Sequence, residues 1–187
     1  MLLVEVSVVE QRRLPQPRSP ALSVGPGTLS RMTDVQLRDV DDADLEVFFE
    51  QQREEEAVRR AQFPARDRER FLTHWRTKVL GNPTGHAQTA TVDGEVAGNI
   101  VAWWQDGRRF TGYWFGQRFW GRGVGTAALR QFLQREQIRP LYADPFVGNT
   151  ASVRLLERCG FQPVGVDHDG DLEFVVLRLD DGAADEE

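Results

Sequence analysis

Apolar positions in this chain recur with two periods, and the points where one gives way to the other divide it into elements. Residues 35–40 (VQLRDV) alternate as a half-buried strand does, with Val35 and Leu37 on one side. Asp41, Asp42 and Asp44 follow, acids suited to the positive end of a helix whose apolar face holds Leu45, Phe48 and Phe49. Pro64 interrupts the helical pattern. A second helix carries Phe71, Leu72, Trp75 and Val79 as one stripe. Strand periodicity returns over 87–92, 95–104 and 109–115, with Asp93-Gly94 and Asp106-Gly107 between the runs. Asp-Gly between apolar runs marks a hairpin, because a type I′ turn needs positive φ at both central positions. An antiparallel meander is expected. Val124, Ala128, Leu129, Phe132 and Leu133 then restore the helical period, ending before Pro140. Residues 141–143 make a short strand, and 149–159 a helix with Ala151, Leu155, Leu156 and Cys159 on one side. Residues 161–166 and 172–179 close the pattern as a hairpin around Asp169-Gly170. No internal repeat is visible.

These elements predict an α/β (α+β) domain: a mixed, largely antiparallel sheet of six to seven strands flanked by about four helices. The 187 residues suit one domain, since a chain near 150 residues buries roughly 70% of its unfolded surface. That domain is expected over 32–179. Residues 1–31 hold Pro15, Pro17, Pro20 and Pro26 without an apolar period, and are expected to be a flexible extension. Patterning starts just past Met32, a candidate for the true translation start. Residues 180–187 form an acidic tail with five acids and no base. Without them 23 bases face 24 acids, so the net charge of -6 belongs mostly to the tail. A near-neutral body argues against a nucleic-acid surface. No apolar run nears the roughly 20 residues of a membrane span. Glu5 breaks the apolar start and no base precedes it, which argues against a secretory signal. Cys159 is the only cysteine, so neither an intramolecular disulfide nor a cysteine-rich zinc site can form, and a reducing, cytoplasmic setting is expected.

Candidate chemistry concentrates at residues 116–129, GQRFWGRGVGTAAL, where a strand gives way to a helix. Gly121, Gly123 and Gly125 let the turn present successive backbone N–H groups to an anion. The helix beyond adds about half a positive charge at its start, and Arg122 can add a charged side chain. The pattern suits a diphosphate; a tight strand-to-helix turn would look similar. Gly123, Gly125 and Ala128 also satisfy G-x-G-x-x-A, with Asp144 near the spacing of a ribose-binding acid. That fingerprint belongs after the first strand of a parallel unit. Here an antiparallel meander precedes it, and too little chain follows.

The segments Gly112-Tyr113-Trp114-Phe115-Gly116, Phe119-Trp120-Gly121-Arg122-Gly123-Val124-Gly125-Thr126, Asn149-x-x-Ser152 and Cys159-Gly160-Phe161, in this order, resemble the GNAT superfamily of N-acetyltransferases. Within it they are most similar to the ribosomal-protein N-acetyltransferase-like branch. The resemblance covers about residues 34–179. Trp120 stands where the family usually has Gln or Arg, and Trp there is common in that branch. The resemblance implies acetyl-CoA as co-substrate, an amine as acceptor, and no metal. It implies that the backbone of Arg122, Gly123, Val124, Gly125 and Thr126, with Trp120 and Gly121, binds the pyrophosphate. It also implies that the strand ending at Phe115 and Gly116 pairs with the pantetheine arm, which Asn149 contacts. Many members place a tyrosine seven residues after the asparagine to protonate the departing thiolate. This chain has Leu156 there, and Ser152 is the substitute the branch suggests, so Ser152 and Asn149 are the catalytic candidates. Both also have structural readings, Asn149 as a helix N-cap and Ser152 as a first-turn residue. A homodimer is compatible with the sequence, which does not set the oligomeric state.

No glutamate lies in 109–115, where a base often sits by resemblance; Asp144 is open as a base through water or as a loop cap. Without a base, an α-amine of pKa near 7.8 is roughly 30% neutral at pH 7.4, against about 0.1% for a lysine-type amine. That gap, roughly 3 to 4 kcal/mol, tilts the expectation toward a protein or peptide N-terminus. A small-molecule amine, such as an antibiotic or polyamine, and a non-catalytic acyl-CoA sensor are the alternatives. Other motifs read as structure. Asp167, Asp169 and Asp171 mimic a calcium loop, but the glycine is misplaced and Arg178 stands where the bidentate glutamate belongs. His74, His86 and His168 lack metal-ligand spacing, and Glu54, Glu55 and Glu56 suit a solvated helix face. Trp103 and Trp104 point to opposite faces of the sheet, one toward the core and one toward an acceptor pocket.

Overall fold

The computed structural model of the chain describes residues 34–182; the expected extension over 1–31, Met32, and residues 183–187 of the acidic tail lie outside it. In chain order the elements are β1 (Val35–Asp39), α1 (Asp44–Gln52), α2 (Glu55–Ala61), α3 (Arg68–His74), β2 (His86–Val92), β3 (Glu95–Gln105) and β4 (Arg108–Phe115). Then come α4 (Val124–Arg135), β5 (Leu141–Ala143), α5 (Thr150–Arg158), β6 (Gln162–Asp169) and β7 (Leu172–Leu179). A π-helical turn, Trp75–Val79, extends α3.

The meander forms for the reason its turns suggest. Asp93 and Gly94 have φ of 51° and 83°, and Asp106 and Gly107 have φ of 50° and 76°. Both pairs are left-handed at both central positions, as a type I′ turn requires. Two departures from the sequence pattern have visible causes, one long-range and one local. One helix was expected before Pro64, but the chain makes two, because Glu54 leaves the helical region with ψ of 118°. Its carboxylate accepts the Gln117 N–H at 2.7 Å, a partner 63 residues away that no local signal announces. Strand β6 runs to Asp169 rather than stopping at 166, since Asp169 pairs with Leu172 and Gly170 carries the positive φ.

The seven strands lie in the order β1-β2-β3-β4-β5-β7-β6. Only β4 and β5 run parallel, and they pair at just two positions, Arg109 with Leu141 and Phe110 with Tyr142. Beyond these the chain follows β7 instead: Val175 N–H donates to Pro145 O and Val147 N–H to Glu173 O, each at 2.9 Å. Strand β4 stays with β3. The sheet therefore splits beside residues 111–115.

Side chains alternate across β4 and commit its two faces to different layers. Tyr113 and Phe115 join Val124, Leu129, Phe132, Leu155 and Leu156 under α4 and α5. On the opposite face, Val101 of β3 packs with Leu45, Phe48, Phe71 and Trp75 of α1 and α3. Trp114 packs with Ala57, Ala61 and Phe63 of the α2 region, and its indole N–H donates to Gln51 O at 3.0 Å. At the far end from the split, Glu136 accepts from Arg109 at 2.7 Å and lies 3.1 Å from His86 Nδ1, joining the end of α4 to the starts of β2 and β4. Burial alone would raise its carboxyl, but the hydrogen bonds from His86 and Arg109 outweigh it and hold the pKa at about 2.

Candidate active site

The glycine-rich segment leaves β4 through one 3-10 turn, Gln117–Phe119. Gly121 (φ 68°) and Gly123 (φ 77°) then adopt backbone that a side chain would resist, and Gly123 becomes the N-cap of α4 without a side-chain hydrogen bond. Among the described residues no protein group accepts the N–H of Arg122, Gly123, Val124, Gly125 or Thr126; the first bonded amide of the helix is Ala127, to Gly123 O at 3.0 Å. Unpaired helix-start amides seek an acceptor. They border a cleft of about 240 Å³ lined on one side by Phe115, Trp120, Gly121, Gly123, Gly125 and Thr126. The other wall is α5, with Ala151, Leu155, Arg154 and Arg158. Gly125 sets the width: a Cβ there would stand 2.6 Å from Leu155 Cδ1. A diphosphate fits this arrangement, with donors along one rim and arginines opposite.

The remaining expected residues fall around the split. Gly116 N–H is taken by Ala97 O at 3.0 Å, so strand alternation turns the main-chain groups of residues 111, 113 and 115 toward the open edge. Phe115 O there accepts from the Trp120 indole at 2.8 Å. Arg60 of α2 stacks on that indole at 5.6 Å, tying the loop to the opposite layer. Gly116 and the Arg122 side chain do not line the cleft. Asn149 caps α5 and is 2% exposed. Its Oδ1 accepts the Ser152 N–H at 3.3 Å, while its buried Nδ2 has no partner. Ser152 is buried as well, its Oγ 2.8 Å from the Tyr113 hydroxyl. Leu156 packs in the core beneath them. Trp103 lies against the α1 and α3 layer, and Trp104 is exposed under Arg109.

Two polar groups gain importance from the geometry. Asp144 follows β5 at once, and continuing the β4–β5 register sets it across the split from Gly112. Burial pushes its carboxyl up to about 7, with the charge of Asp167 adding to the effect. Its signal was present in the sequence, an acid ending a three-residue strand, but nothing there fixed what it faces. Tyr113 stood in the sequence only as part of the 112–116 segment with no role of its own, since an aromatic residue in a strand reads as core. No cluster of histidine, cysteine or acidic residues suited to a metal occurs among the described residues, and none of their helices is long and apolar enough to cross a membrane.

A split parallel pair, an uncapped helix start and a cleft between two helices define an acyl-coenzyme A transferase fold. The description Acetyltransferase (GNAT) domain matches residues 34–162, and the chain belongs to this family: it is an acetyl-CoA-dependent acetyltransferase. Among solved structures, it is similar to the aminoglycoside acetyltransferase AAC(6')-Ib in complex with coenzyme A, at 21% identity and a TM-score of 0.67, covering 80% of this chain and 96% of that one. The same enzyme with coenzyme A and kanamycin matches at 21% identity and a TM-score of 0.66, with the same coverage. A GNAT-family acetyltransferase from Bacillus anthracis matches at 15% identity and a TM-score of 0.66, covering 79% of this chain and 96% of that one. Comparison with curated proteins finds no match. These likenesses establish the fold.

Proposed function

We propose that the enzyme acetylates a primary amine, with Asp144 taking the amine's proton. The observation that carries this is the Asp144 carboxyl, raised to about 7 and placed beside the split. A base of that pKa is about 70% ionised at pH 7.4 yet basic enough to accept a proton. Acetyl-CoA supplies the activated acyl group. The chain's own residues do the rest. The amides of residues 122–126 hold the diphosphate, the open edge of β4 at 113 and 115 aligns the arm, and Ser152 and Asn149 Nδ2 face the leaving sulfur.

A base at this position removes the need for an acceptor with an unusually low pKa. The peptide N-terminus rests on the resemblance to the ribosomal-protein branch. A small polycationic amine is favoured by a specific observation, the proximity of the acids Asp144 and Asp167. Thiol release from acetyl-CoA, measured with peptides bearing free N-termini and with aminoglycosides and polyamines, separates the two. Release with none of them, at any pH from 6 to 9, would defeat the proposal. The single free cysteine, Cys159, whose thiol burial pushes up to about 11, fits a cytoplasmic setting.

A further inference from the structure

Tyr113 heads the wholly buried side chains by size, at 1% exposure, and the scheme above gives its hydroxyl no task. That hydroxyl lies 2.8 Å from Ser152 Oγ and 3.4 Å from Ser152 O. A carbonyl oxygen only accepts, so a phenol proton aimed between the two oxygens satisfies both contacts. Burial keeps the proton in place by raising the phenol pKa. Ser152 Oγ then serves as an acceptor toward Tyr113, and its own proton has no other protein acceptor among the described residues. One turn earlier, the buried Nδ2 of Asn149 is also without a partner. Two unspent donors thus stand at the start of α5, where it meets the open edge of β4. Buried donors without acceptors are costly, and a native site retains them when a ligand completes them.

We propose that Tyr113 is a positioning residue: its phenol donates to Ser152 Oγ and so turns the serine O–H toward the sulfur of the departing coenzyme A, with Asn149 Nδ2 as the second donor. This rests on the roles given to Ser152 and Asn149 above. As the C–N bond forms, the C–S bond breaks with its electron pair on sulfur, and the amine proton goes to Asp144. Ser152 and Tyr113 keep their protons and supply hydrogen bonds only; the thiolate later takes a proton from water. The position seven residues after Asn149 is Leu156, buried in the core. A strand tyrosine acting through serine replaces the helix tyrosine that Leu156 lacks.

Coenzyme A itself is the probe, because its bound thiol can be titrated by thiolate absorbance. Two donors lower the bound thiol below the usual range of about 8.5. In Tyr113→Phe it should titrate about one pH unit higher than in the unaltered enzyme, and coenzyme A at pH 9 should bind about tenfold more weakly. Acetyl-CoA, which carries no thiolate, should bind both proteins alike. Tyr113→Phe added to Ser152→Ala should change nothing further. Should Tyr113→Phe fold poorly, 3-fluorotyrosine in place of Tyr113, in a Tyr142→Phe background, keeps the ring and strengthens the donor, and the thiol should then titrate lower. Equal weakening of coenzyme A and acetyl-CoA, or an unmoved titration in the fluorinated protein, overturns the proposal. A normal titration in Ser152→Ala would instead sink the role of the serine, and failure to bind either coenzyme would sink the cleft.

Discussion

At Asp144, one carboxyl sets catalysis against stability. Its pKa of about 7 compares with an ordinary value of 3.8, so the folded protein prefers the protonated form. Folded-state stability from this group is complete below the ordinary value, is lost as pH rises toward 7, and is absent above it. The full penalty is on the order of 4 kcal/mol by the size of the shift. Asp144→Asn should therefore melt higher than the unaltered protein at pH 8 and alike near pH 4, as scanning calorimetry at both pH values would show. Activity should move the other way. The rate of the unaltered enzyme should climb with pH through about 7, and Asp144→Asn should lose at least about a hundredfold. A variant that loses activity without gaining stability at pH 8 would mean that the carboxyl is not desolvated as described.

Between elements, two contacts carry predictions, one beside the cleft and one at the opposite end of α4. Gly125→Ala places its Cβ 2.6 Å from Leu155 Cδ1, so the Leu155 side chain must repack against the cleft wall. Overpacking of this kind costs about 1 to 3 kcal/mol. It should also weaken acetyl-CoA binding, read by calorimetry, because the displaced Leu155 side chain lines the cleft. At the other end, Glu136→Gln keeps the shape but removes the charge facing Arg109, and both side chains are 3% exposed. Leaving a buried guanidinium without its carboxylate costs about 3 to 5 kcal/mol, measurable by urea unfolding at pH 7. The difference should shrink below pH 4, as the Glu136 pKa of about 2 is approached. The elements themselves were legible because their signals are local. The Asp-Gly turns and the glycines at 121 and 123 act through backbone φ, which sequence encodes directly. The helix break at Glu54, the pairing of Tyr113 with Ser152 across 39 positions and the desolvation of Asp144 are long-range. Residue types alone carry no trace of them.

For the molecule as a whole, the split is the organising fact, because β5 leaves β4 for β7 and no strand pairs with that edge of β4 beyond Phe110 among the described residues. The α4 start and α5, the walls of the cleft, come close where Gly125 faces Leu155. A ligand whose phosphates meet the α4 amides while its arm runs along β4 bridges both walls, and binds only when they are folded together. Mass action then fixes the consequence: acetyl-CoA at 100 times its Kd stabilises the fold by about 2.7 kcal/mol. A chain of this size gains about 2 to 4 °C per kcal/mol, so Tm should rise by roughly 5 to 10 °C. Pantetheine, which lacks the diphosphate, should give a much smaller rise at equal concentration, because the α4 amides stay unpaired. NAD carries a diphosphate but no arm to run beside residues 113 and 115, so its rise should also be small. Equal shifts from NAD and acetyl-CoA would show that only the helix start binds, and that the open edge of β4 takes no part.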